Sequence, residues 1–90
     1  MTITTTVDER GIAIVTMQHP PVNALTVGDT WRIRDAFEEL GADDAVRVVI
    51  LTADGKGFNA GIDIKEMQSV DGHEHVLGSG AACYAAFDAI

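Results

Sequence analysis

The apolar and polar positions follow a β rhythm, then a helical one, then a β rhythm again. Thr2 to Val7 carries β-branched residues at most positions, Asp8-Glu9-Arg10-Gly11 supplies turn chemistry, and Ile12 to Met17 is again β-rich. This predicts a hairpin. His19-Pro20-Pro21 ends the second strand, because a proline lacks the N–H that a sheet needs and restricts the residue before it. Thr26 is a candidate helix N-cap with Asp29 three residues on. Val27, Trp31, Ile33, Phe37 and Leu40 then recur at helical spacing up to Gly41. The spacing predicts an amphipathic helix of about four turns with Trp31 and Phe37 in the core.

After the polar Ala42-Asp43-Asp44 link, Val46 to Thr52 is nearly continuous β-branched sequence, as a strand covered on both faces would be. Gly55 to Gly61 is too glycine-rich for regular structure, and Ile62 to Gln68 has the composition of a short helix. Gly72, Gly78 and Gly80 dilute any periodicity beyond Asp71, and a last helix is expected from Ala81 to Ile90. No stop signal follows it, so the chain is expected to halt inside an element, as part of a longer protein. The order of elements predicts mixed α and β structure with an incomplete sheet.

Ninety residues allow one domain at most. Hydrophobic residues at 47% and charged ones at 22% argue for a globular chain over a disordered one. The lone Cys83 cannot form an internal disulfide and no signal peptide leads the sequence, which points to the cytoplasm. The apolar runs are far shorter than the roughly 20 residues of a membrane span, so no membrane partner is expected. A net charge of -8 disfavours nucleic-acid binding. An acidic chain can still hold an anion locally, however, and Lys56 and Lys65 flank the glycine-rich segment.

A strand that feeds a glycine-rich loop and then a helix gathers free backbone N–H groups and the positive end of a helix dipole around one point. Anions or developing negative charge belong there. Two readings compete on the residues alone. Gly55, Gly57 and Gly61 give a G-x-G-x-x-x-G near-miss of the dinucleotide fingerprint, one residue off in spacing. The other reading is stabilisation of an acyl oxyanion.

For the second, Gly55-Lys56-Gly57-Phe58-Asn59-Ala60-Gly61-Ile62-Asp63-Ile64-Lys65-Glu66-Met67 resembles the signature of the crotonase (enoyl-CoA hydratase/isomerase) superfamily. Pro21-Val22-Asn23-Ala24-Leu25 is similar to that family's P-x-N-A-L turn, and the elements fall in the family's order. Asn59 stands where the family often has Ala, Cys or Ser, which reads as tolerated variation. The resemblance implies an α/β fold, the crotonase-like spiral of ββα units. Residues 1–90 would be its first portion, the amino-terminal part of a single domain, closest in look to actinobacterial members.

The resemblance also implies that the backbone N–H of Ile62 is one of two donors to the thioester oxygen of an acyl-CoA. Enolate chemistry places charge on that oxygen, and one preorganised donor stabilises it by about 3 to 4 kcal/mol. Ala24, Ala60, Gly61 and the stretch Ile62, Asp63, Ile64 and Lys65 would line the coenzyme A, with Lys56 and Lys65 near its phosphates. The bland alternative is that both lysines are solvated surface charges. Ile62 is bulkier than the Ala often found there, which implies a pocket narrowed or reshaped at the α-carbon. Coenzyme A is part of the substrate, no separate cofactor is expected, and the intact protein would be a trimer or hexamer. Hydration of a 2-enoyl-CoA is the default reaction. A ring-opening carbon–carbon hydrolysis in steroid breakdown, or a non-catalytic CoA-binding module, are the alternatives.

Other polar residues read as structural. The family's usual catalytic glutamates lie further along than these ninety residues, so the piece alone is expected to be inactive. Asp63 is expected to cap the short helix and Glu66 to be an exposed helical residue. Asp71, His73, Glu74 and His75 lack metal-ligand spacing and read as a solvated loop beside the site. Cys83 reads as a small buried residue and His19 as a loop histidine.

Overall fold

The computed structural model describes residues 2–19, 23–61, 66, 68 and 72–90. Strands β1 (Thr2–Val7) and β2 (Ile12–Gln18) form the expected antiparallel hairpin, with Val7 opposite Ala13 and Thr2 opposite Gln18. Asp8 builds its turn: its carboxylate accepts the N–H groups of Arg10 at 2.8 Å and Ile12 at 3.1 Å and pairs with the Arg10 guanidinium at 2.9 Å. The Ile12 N–H, and after it the Arg10 side chain, hold the Asp8 carboxyl below its ordinary pKa. Gly11 closes the turn at φ +81°, where an added Cβ would lie 2.5 Å from the Ala45 carbonyl oxygen. Only glycine fits there.

Helix α1 (Val27–Gly41) begins in the capping box that the sequence announces. The Asp29 N–H donates to Thr26 Oγ1 at 3.1 Å, and the Thr26 N–H donates to the Asp29 carboxylate at 3.2 Å. Asp29 is buried and its charge is met by Arg32 at 2.8 Å. The far end differs from expectation. Gly41 is the last helical residue, and Ala42 caps the helix in a right-handed conformation, its N–H on the Glu38 carbonyl at 3.1 Å.

Strand β3 (Val48–Ala53) returns parallel to β2, pairing Ile12 with Val48 and Met17 with Ala53, so the sheet order is β1-β2-β3. Ala13, Val15 and Met17 of β2 are buried with Ile33, Phe37 and Leu40 of α1, and Val49, Leu51 and Ala53 of β3 pack against them. Each large side chain of this set stabilises the fold by roughly 1.5–3 kcal/mol. β1, β2 and α1 make one ββα unit, and β3 starts the next turn of chain.

Three expectations need correction. Among the described residues β3 is covered on one face, where coverage on both was expected: Val48 and Ile50 are 53% and 45% exposed, and Ile14 beside them is exposed as well. Trp31 is half-buried outside the core, with the Arg34 guanidinium 4.9 Å from its ring centre. Position 31 lies about 200° around the helix from Ile33, off the Ile33-Phe37-Leu40 stripe. The last helix, α2 (Gly72–Ala89), starts nine residues before Ala81 and includes His73, Glu74 and His75, which therefore are not in a loop. α2 packs along α1 and buries Ala82 and Ala86, one turn apart. Among the described residues no helix is long and apolar enough to cross a membrane.

Candidate active site

Because β2 and β3 run parallel, the segments that leave their carboxyl ends emerge at the same edge of the sheet. Ligands of α/β proteins bind outside such ends. Here those segments are the turn around Asn23 and the loop from Asp54 to Gly61. They are joined to each other by hydrogen bonds.

Asn23 makes most of the joint. It is fully buried, and its backbone is left-handed at φ +53°, a conformation that asparagine tolerates better than most residues. Its Oδ1 accepts the His19 N–H at 2.8 Å, while its Nδ2 donates to the carbonyls of Asp54 and Gly57, both at 2.8 Å. Both amide hydrogens and the amide oxygen are therefore engaged. Asn59 joins from the other side: its Nδ2 donates to the Asn23 carbonyl at 2.6 Å and its Oδ1 accepts the Gly61 N–H at 2.9 Å. The Leu25 N–H donates to the Gly61 carbonyl at 2.7 Å. Gly55 and Gly61, at φ +89° and +101°, supply backbone conformations that L-residues rarely adopt.

Beside Gly61 lies a cavity of about 460 Å³ between the sheet, α1 and α2. Met17, Leu25, Ile33, Leu51, Phe58, Ala86, Phe87 and Ile90 make its walls apolar. Thr30 is one of its few polar neighbours, and the Thr30 hydroxyl donates to the Thr26 carbonyl at 3.0 Å. Pockets of roughly 300–1,000 Å³ with this lining suit organic ligands. Cys83 lines the same cavity and is half-buried, not fully enclosed as its alanine-rich surroundings suggested.

Of the residues singled out from the sequence, Ala24 is half-buried between Asn23 and Leu25, Ala60 is exposed, and Gly61 is exposed at the cavity rim. The two interloop hydrogen bonds bring these positions together. Lys56 stands exposed near the start of the loop. Ile62, Asp63, Ile64 and Lys65 lie outside the described residues, as do Asp71 and Pro21 and Val22 of the P-x-N-A-L turn. Glu66 is helical, as expected, but it is only partly exposed and its carboxylate accepts the Val27 N–H at 2.9 Å. It thus sits at the N-terminus of α1, where the helix dipole favours a negative charge.

A family model described as enoyl-CoA hydratase/isomerase matches residues 8–86. The chain belongs to the enoyl-CoA hydratase/isomerase family. Over all 90 residues it is 46% identical to the (7aS)-7a-methyl-1,5-dioxo-2,3,5,6,7,7a-hexahydro-1H-indene-carboxyl-CoA hydrolases of Mycobacterium tuberculosis and Rhodococcus jostii, of which it covers 36% and 35%. It is 40% identical over 60 residues to the mitochondrial enoyl-CoA delta isomerase 1 of Rattus norvegicus, covering 66% of this chain and 21% of that one. The crystal structure of an enoyl-CoA hydratase from Mycobacterium smegmatis superposes with a TM-score of 0.89 at 36% identity, over 98% of this chain and 35% of that one. The chain thus spans about a third of the length of the curated relatives it matches across its whole length.

The crotonase-type fold inferred from the glycine loop and the P-x-N-A-L turn is therefore correct, as is the likeness to actinobacterial members. Asn59 was the residue undervalued in the sequence. The one available signal was its asparagine side chain, which can donate and accept at once, at a position where smaller side chains are usual.

Proposed function

We propose that the whole protein processes an acyl-CoA thioester through an enolate-like intermediate, with the backbone N–H of Ile62 as an oxyanion donor. The observation that supports this most is the doubly anchored Gly61 at the rim of an apolar cavity. The thioester carbonyl would lie beyond Gly61, the acyl group in the cavity, and the coenzyme A along Ala24, Ala60, Gly61 and the Ile62, Asp63, Ile64 and Lys65 stretch. Lys56 and Lys65 would face its phosphates. Preorganised donors of this kind act where charge develops and need no reorganisation during the reaction. Coenzyme A would enter as part of the substrate, and the resemblance implies assembly as a trimer or hexamer, which light scattering would measure.

Hydration of a 2-enoyl-CoA is the default reaction. A second reading, hydrolytic opening of a ring carbon–carbon bond, is favoured by the 46% identity over all 90 residues to two indene-carboxyl-CoA hydrolases. The two separate in one assay of the whole protein. Hydration removes the enoyl-thioester absorbance of crotonyl-CoA. A ring-opening enzyme leaves crotonyl-CoA unchanged and consumes a bicyclic oxo-acyl-CoA. Tight binding of NAD, with none of coenzyme A, would overturn the proposal.

A further inference from the structure

We infer that Asn59 is a positioning residue for the oxyanion donor: its side-chain amide transmits the position of the Asn23 turn to the Gly61 peptide. This rests on the function proposed above. Asn59 Nδ2 donates to the Asn23 carbonyl at 2.6 Å and Asn59 Oδ1 accepts the Gly61 N–H at 2.9 Å. A carbonyl needs a donor and an N–H needs an acceptor, so the two partners dictate which way the amide faces. Neither the methyl of an alanine nor the hydroxyl of a serine reaches both groups.

Asn23, in turn, is held by His19, Asp54 and Gly57. A rigid reference point at the end of β2 is thus carried to Gly61, whose carbonyl is fixed independently by the Leu25 N–H at 2.7 Å. That carbonyl shares one planar peptide unit with the N–H that follows it. Gly61 at φ +101° has no side chain to restrict it, so it is the point where the loop would otherwise loosen. Sites held too loosely lose function through small displacements of their donors. Asn59 is exposed on the cavity rim, its bond to the Gly61 N–H is open to water and its bond to the Asn23 carbonyl is only part-buried, so the pair adds little to global stability. Its variants should therefore fold.

The test uses the whole protein saturated with a chromophoric arylacryloyl-CoA thioester. Donors at the thioester carbonyl polarise the conjugated system and shift its absorption to the red. The wild-type protein should show the shift. Asn59→Ala should bind the thioester within about threefold of wild type, melt at nearly the same temperature and lose at least half of the shift, corresponding to roughly one lost hydrogen bond. Asn59→Asp, which keeps the acceptor for the Gly61 N–H and loses the donor, should give an intermediate shift. A full shift at saturation in Asn59→Ala overturns the positioning role and leaves the oxyanion assignment standing. No shift in the wild-type protein overturns that assignment and this inference with it.

Discussion

The Glu66 carboxylate accepts a hydrogen bond from the backbone N–H of Val27 at 2.9 Å, so the chain beyond the glycine loop closes onto the first turn of α1. The capping box already satisfies Asp29, and Glu66 supplies the acceptor for Val27. Both carboxylates also meet the positive end of the helix dipole. Glu66→Ala should therefore lower the stability of the chain by about 1 kcal/mol, the usual worth of a cap. Glu66→Gln, which keeps an acceptor and loses the charge, should cost about half of that. Denaturant midpoints of the three proteins check it, and equal midpoints would remove Glu66 from this role.

Asn23 gives a sharper contrast. Asn23→Ala takes the side-chain partner from two part-buried carbonyls and one N–H and leaves the left-handed backbone to a residue that tolerates it less well than asparagine, which together should cost about 3 kcal/mol. Asn23→Gly loses the same hydrogen bonds without the backbone strain. It should be less damaging than the alanine variant by about 1 kcal/mol, measured by the same unfolding curves.

Two glycines should respond to alanine with opposite signs. At Gly11 the new Cβ meets the Ala45 carbonyl oxygen at 2.5 Å in a left-handed backbone, so Gly11→Ala should destabilise by roughly 2–3 kcal/mol. At Gly80, inside α2, a Cβ meets nothing within 4 Å, so Gly80→Ala should stabilise by about 0.5–1 kcal/mol. Thermal melts of both variants beside the parent chain decide it.

The hairpin turn carries a pH dependence. The Asp8 carboxyl titrates below the ordinary aspartate value of 3.8 in the folded chain because the Ile12 N–H, and then Arg10, favour the charged form. The unfolded chain thus binds the proton more readily. The stabilisation is fully present above the unfolded value and is lost as the pH falls through the folded one. Asp8→Asn should accordingly be less stable than wild type at neutral pH, and the gap should close on acidification below pH 3.8. A gap that widened with acid would contradict the sign.

Much of the fold was legible because its signals are local. The Thr26–Asp29 box, the Asp8–Gly11 turn and the β-branched runs each act through neighbours in sequence, and the structure repeats them nearly residue for residue. The start of α2 was not legible. Gly72, Gly78 and Gly80 lower helix propensity, but propensity is a weak prior, and packing of α2 along α1 outweighs it. The open face of β3 was hidden for the opposite reason: Val48 and Ile50 read as buried by composition, and only the layer arrangement shows nothing above them among the described residues. The site was legible as a motif and not as a mechanism of support. Asn23 and Asn59 act through contacts with residues 31 to 36 positions away, which no window of sequence displays.

A backbone N–H beyond Gly61 that donates to a thioester oxygen, as proposed, would weaken the C=O bond of that thioester. Difference infrared spectroscopy of the whole protein with an acyl-CoA carrying carbon-13 at its thioester carbonyl measures that bond directly. The expected result is a carbonyl stretch at lower frequency in the bound thioester than in the same thioester free in water. A bound stretch at or above the free value would contradict the claim.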